Sequence, residues 1–191
     1  MVTNVREGLA KRSGVRSRGA LPVDFLLGGQ TPKEFARAAA ADAGDFDPVN
    51  LLVADGEEIW WMTNRPRPTA RRVTDGVHGL SNGALDSDWP KVTDGSERMA
   101  QLVTADAGAG SSVEPYLDLL ADQHRPSAHR LPDTGVPAAF EADLSPIFVN
   151  APGYGTRAST VLRVGYDGHG DITERRYGWR GRRRGTTTIR F

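Results

Sequence analysis

Asn82 stands in GVHGLSNGALDSDWPK, residues 76–91, where Gly79 and Gly83 bracket Leu80, Ser81 and the asparagine itself. Glycine on both sides lets the backbone turn sharply, so the side chain is expected at a tip with little steric cover. An amide held that way is a good hydrogen-bond donor to a developing oxyanion. Asparagine also builds turns for its own sake, and the spacing leaves both uses open. A second loop of the same shape is PGYGTRASTVLRV, residues 152–164, in which Gly153 and Gly155 precede Arg157 at the mouth of a strand. A guanidinium there can neutralise a carboxylate, a phosphate or an acyl-enzyme charge, or merely close a surface ion pair. Two glycine-framed loops offering one amide and one guanidinium suggest a single site.

The remaining chemistry is thinner. His78 precedes the first glycine turn and, taken alone, reads as structural. His124 and His129 lie five apart with Pro126 between them and no acidic residue at ligand spacing, so solvated loop residues are expected and no metal. RRYGWRGRRRG, residues 175–185, holds six arginines interleaved with Tyr177 and Trp179. It reads first as a strand pair charged against edge pairing. A phosphate- or RNA-binding edge is the second reading, and a phosphate-bearing small ligand the third.

Cysteine is absent, which removes disulfides, thiolate metal sites and any cysteine nucleophile. Lys plus Arg and Asp plus Glu both number 24, so global charge gives no reason to expect nucleic acid as a partner. No run of about eighteen apolar residues marks a membrane span. The opening MVTNVREG has neither a basic n-region nor an apolar core, which makes the cytoplasm the expected compartment.

These side chains need elements to hold them, and a single domain over residues 1–191 is expected. Val2, Thr3 and Val5 are strand formers. The basic, glycine-punctuated stretch at 11–19 leads to a helical LPVDFLLGG. TPKEFARAAAADAG is the clearest helix, with Thr31 as cap, Pro32 in its first turn and Glu34 completing a capping box. Strands are expected at 50–55 and 58–64 as a hairpin about Gly56, with another near 71–74. Helices are expected at 96–106 and 113–124, joined by a flexible linker at 107–112. Residues 125–142 read as a long loop. Strands then return at 145–150, 159–167, 171–179 and 186–191, the last following a basic segment that starts at 178. Two β-rich blocks flanking a helix pair give an α+β chain with largely antiparallel sheets.

GLSN followed by LDSDWPK, LPDTGV with LSPIFV, and YGTRASTV leading to ITERRY closely resemble the NRDE family, the transport and Golgi organization protein 2 family. SRGALPVDFL and NLLVAD fit the same pattern, which extends to about Tyr177. The arginine-rich end departs from it. The family pattern opens upstream with a Met-Cys start and an Asn-Arg-Asp-Glu motif, neither of which occurs here. The resemblance therefore implies that Met1 is an interior position and that N-terminal strands are missing.

The family is similar in turn to the N-terminal-nucleophile hydrolases, which implies an αββα sandwich of antiparallel sheets, here incomplete. In such enzymes an exposed terminal Cys attacks, its own amine serves as base, and asparagines and arginines stabilise the oxyanion. Carried over by motif, Asn4 and Asn82 become oxyanion donors and Arg157 the charge partner, with no nucleophile in this chain. His78, Ser81, Tyr154, Thr156 and Ser159 complete the expected ligand-contacting set. The resemblance implies one of two roles: binding or handling haem or an acyl-CoA-type lipid, or an amidase-like hydrolysis that needs the upstream Cys. No cofactor is required by either, and the expected partner is a small molecule or lipid rather than nucleic acid.

Overall fold

The computed structural model describes residues 1–8, 14–108 and 110–191. Residues 11–13 of the predicted basic stretch and residue 109 of the predicted linker lie outside the described residues. The chain divides into two compact units, one of residues 1–87 with 134–136, the other of 88–133 with 137–191.

The first unit holds β1 (Val2–Asn4), α1 (Ala20–Leu27), α2 (Pro32–Ala41), β2 (Val49–Ala54), β3 (Ile59–Thr63) and β4 (Thr69–Arg72). The four strands pair antiparallel in sequence order, and Asn4 sits opposite Val49. Alternation along the strands decides the two faces. Val49, Leu51, Val53, Trp60 and Met62 point to one side and form the core with Leu21, Phe35, Ala36 and Ala39 of the two helices. The capping box of α2 forms as predicted, with the Thr31 hydroxyl accepting from Glu34 N–H and Glu34 answering at the cap.

The opposite face carries buried Asn50, Trp61 and Thr63. Polar groups buried there need partners: Thr63 finds the Val49 carbonyl within the sheet, and the loop from 77 to 87 supplies one for Asn50. Asn50 donates to the Gly83 carbonyl at 2.8 Å and accepts from Trp61 Nε1 at 3.2 Å. Thr3 donates from its hydroxyl to the Ser81 carbonyl at 2.9 Å. The glycine turn predicted at 79–83 is thereby tied down over the sheet.

The second unit holds α3 (Pro90–Ala105), α4 (Glu114–Leu119), α5 (Ala138–Leu144), β5 (Asn150–Ala151), β6 (Tyr154–Gly155), β7 (Ala158–Val164), β8 (Gly170–Tyr177) and β9 (Arg183–Arg190). β5 and β6 form a short hairpin, and β7, β8 and β9 an antiparallel sheet in that order. Tyr116 and Leu117 of α4 pack on Val161 of β7, with Met99 and Leu102 of α3 alongside.

Several predicted boundaries change here, and the helix expected at 113–124 ends at Leu119. The strand expected at 145–150 is reduced to Asn150–Ala151, because Pro146 has no N–H and the Phe148 amide donates to the Asp122 carbonyl at 2.8 Å. The loop expected at 125–142 ends in a helix, α5, whose Phe140 and Glu141 amides both bond the Pro137 carbonyl. The helix expected from 96 starts at Pro90, at the first turn where proline is tolerated. The α+β class with antiparallel sheets stands, and among the described residues no helix is long and apolar enough to cross a membrane.

Candidate functional site

Besides the Thr3–Ser81 bond, the turn at 79–83 meets the first strand through the Asn82 side chain. Asn82 donates from Nδ2 to the side-chain oxygen of Asn4 at 2.9 Å and to its backbone carbonyl at 3.1 Å. The Asn82 carbonyl in turn accepts from Arg6 N–H at 2.7 Å. Asn82's amide is therefore occupied in holding Asn4. With its oxygen fixed by that bond, Asn4 has its own NH2 without a hydrogen-bond partner among the described residues.

Asn4 lines a cavity of about 530 Å³ whose other wall is the segment 14–19. That segment runs beside Phe46 in a single parallel bridge from Arg16. Gly14 is required at its start, since a Cβ there would stand 2.3 Å from the Asp47 nitrogen. Arg16 is committed, ion-paired with Asp24 at 3.0 Å and lying over the Phe46 ring at 4.9 Å. Arg18 donates to the Pro48 carbonyl at 2.9 Å and has no carboxylate partner among the described residues. The cavity thus holds a neutral amide donor and the Arg18 guanidinium, with the Asp47 carboxylate on its wall accepting from Gly14 N–H at 3.0 Å. The arrangement suits a carbonyl oxygen with an anionic group at Arg18.

Arg18 escaped sequence reasoning as a site residue. The motif SRG is visible, but its place on the same cavity as Asn4 depends on β1 pairing with β2 and on the 14–19 segment lying beside Phe46 and Asp47. No local pattern encodes either.

His78 is held on both ring nitrogens. Nδ1 lies 2.7 Å from Asp86 Oδ2 and Nε2 2.9 Å from the Thr74 carbonyl. The hydrogen bond to Asp86 raises its pKa, with burial working against it and the Thr74 carbonyl assisting. Burial pushes the Asp86 carboxyl up, but the bonds from His78 and Gly79 N–H outweigh it and leave it lowered. The pair fastens the approach to the Asn82 turn. Ser81 contributes its carbonyl to Thr3.

In the second unit, Tyr154, Thr156 and Arg157 line a cavity of about 560 Å³ together with the turn at 178–181. Thr156 is a clamp within its own hairpin, its N–H donating to the Val149 carbonyl at 2.8 Å and its hydroxyl accepting from Val149 N–H at 3.0 Å. Ser159 is buried on the inner face of β7. Among the described residues no cluster of His, Cys, Asp or Glu could hold a metal.

The model of the Transport and Golgi organisation 2 family matches residues 1–178. The chain belongs to that family. Among similar proteins, the Transport and Golgi organization protein 2 homologs of Homo sapiens and Bos taurus are 28% and 29% identical, each over 84% of this chain. The Mus musculus homolog is 26% identical over the same share. The chain spans 62% of the length of these relatives. The Transport and Golgi organisation 2 match takes in Asn4, Arg18, Asn82 and Arg157, and stops ahead of Trp179 and the arginines that follow it.

Proposed function

We propose that this chain binds an acyl ligand of the coenzyme A type in the cavity beside Asn4 and does not cleave it. The observation that carries the proposal is the bond from Asn82 into the Asn4 side-chain oxygen, which leaves the Asn4 NH2 as a donor beside Arg18. An acyl carbonyl accepts from that amide, and the anionic part of the ligand pairs with the Arg18 guanidinium. Asn82 acts through Asn4 and is a positioning residue. The engaged nitrogens of His78 favour an acyl ligand over haem ligated there.

Kinship with the N-terminal-nucleophile hydrolases is part of the proposal. Two helices laid over an antiparallel sheet in the first unit, with paired asparagines at its edge strand, support it. These 191 residues hold no cysteine, so a cysteine nucleophile for that route would have to come from outside them. The same asparagine pair supports a second reading, an amidase-like hydrolase acting with an upstream Cys segment.

Titration of the 191-residue chain with octanoyl-CoA tests the binding proposal. Saturable binding is expected, weakened about tenfold by Asn4→Ala and by Arg18→Ala, the loss of one hydrogen bond or ion pair. Asn82→Ala is expected to match Asn4→Ala, and the double variant to be no worse than either. Absence of binding, or affinity unchanged in both single variants, overturns it. Release of free thiol by the chain would instead make it a hydrolase.

A further inference from the structure

The cavity of the second unit is built differently, with exposed aromatic side chains and arginines beside Asn150, whose amide already donates to Gln123 at 3.1 Å. One wall is the β5–β6 hairpin, clamped at its base by Thr156 and turning through Gly153 at φ +74°. Tyr154 stands at its tip with 64% of its surface exposed. The other wall is the turn from Gly178 to Gly181, where Trp179 is 63% exposed.

Between them Arg180 adopts φ 54° and ψ 37°, a left-handed conformation that costs a non-glycine residue about 1–2 kcal/mol. Gly181 follows at φ +68°, where a Cβ would press on the Phe148 ring at 3.1 Å. Strain of this kind persists where the surroundings over-determine it, and it clusters at ligand sites.

Arg125, Arg163 and Arg175 are ion-paired with Asp143, Asp171 and Glu114. Arg157 and Arg180 have no carboxylate partner among the described residues, and both line the cavity. Arg176, Arg182 and Arg184 also have no carboxylate partner among the described residues, and it is their place on the cavity wall that sets Arg157 and Arg180 apart. A volume of about 560 Å³ is in the range of small-molecule sites. Solvent-exposed aromatic faces beside unpaired guanidinium groups suit a planar ring carrying a phosphate.

We propose that this cavity binds a nucleoside phosphate, its base against Tyr154 and Trp179 and its phosphate on Arg157 and Arg180. The size and concavity of the site favour a small nucleotide over an extended strand. Trp179 and Arg180 fall beyond the family match at 178, so the site draws on residues particular to this chain. Coenzyme A contains an ADP moiety, so the two proposals are separated by residue: Asn4→Ala and Arg18→Ala, at positions that line the other cavity, are expected to leave ADP affinity unchanged.

Calorimetric titration of the full chain with ADP is the test. ADP is expected to bind, with adenosine at least about tenfold weaker because it lacks the phosphates. Arg157→Ala and Arg180→Gly are each expected to weaken ADP about tenfold. Arg180→Gly also relieves the left-handed backbone, so its melting temperature should hold or rise, which separates lost binding from lost folding. Coenzyme A binding tighter than ADP identifies the nucleotide as part of an acyl carrier. ADP binding as tightly or more tightly identifies a free nucleotide. Either supports the site. No ADP binding at millimolar concentration, unchanged affinity in both variants, or binding of a uridine oligonucleotide that ADP does not displace overturns it.

Discussion

At the scale of single residues, the first unit turns on how side chains are occupied. Asn82 reads from the sequence as a donor to a ligand, whereas in the structure its side-chain NH2 donates twice to Asn4. His78 secures the same turn from its other side. Its pKa is raised above 6.5 in the folded chain, chiefly by the Asp86 hydrogen bond. The folded state therefore binds this proton more tightly than the unfolded state does. The stabilisation is complete below the unfolded value and is lost as pH rises through the elevated folded one. We expect the imidazole resonances of His78 to titrate above 6.5 and Asp86→Asn to lower that midpoint. A midpoint indifferent to Asp86→Asn would show that the pair does not hold the proton.

Among the elements, the loop from 77 to 87 matters most, since it carries Asn82 yet has no regular structure of its own. Its anchor is Asn50, fully buried in β2 and bonded to Gly83, Thr3 and Trp61. Asn50→Ala would strand a buried indole N–H and a carbonyl, and we expect it to cost about 2–3 kcal/mol in denaturant unfolding. A loss below about 0.5 kcal/mol would mean that the loop does not depend on this anchor. Local signals carried much of the fold into the sequence. Thr31, Pro32 and Glu34 announce α2, and Gly56 between two apolar runs announces the β2–β3 hairpin. The signals fail where tertiary contacts choose the conformation. Ile147, Phe148 and Val149 read as a strand, but Pro146 and the Phe148–Asp122 bond divert the backbone, and the ring packs edge-on against Tyr177 at 4.7 Å. The helix α5 is too short and too close to Pro137 to show a period. Asn82 was legible because its glycines are adjacent in sequence, and Arg18 was not because its neighbours are brought by pairing at a distance.

For the whole molecule, equal numbers of acidic and basic residues leave a formal net charge of zero. Both proposals accordingly assign anion recognition to local groups, Arg18 in the first unit and Arg157 with Arg180 in the second. Membership of the Transport and Golgi organisation 2 family rests on a match running from residue 1 to 178, which spans both units. The central claim is that the Asn4 amide receives the ligand, and side-chain amide NMR observes it directly. In a 15N-labelled chain titrated with octanoyl-CoA, the Asn4 NH2 pair should move downfield with the Arg18 Nε–H, while the Asn82 pair, already bonded, shifts less. Saturation of the chain with the Asn4 and Arg18 signals unmoved would contradict it.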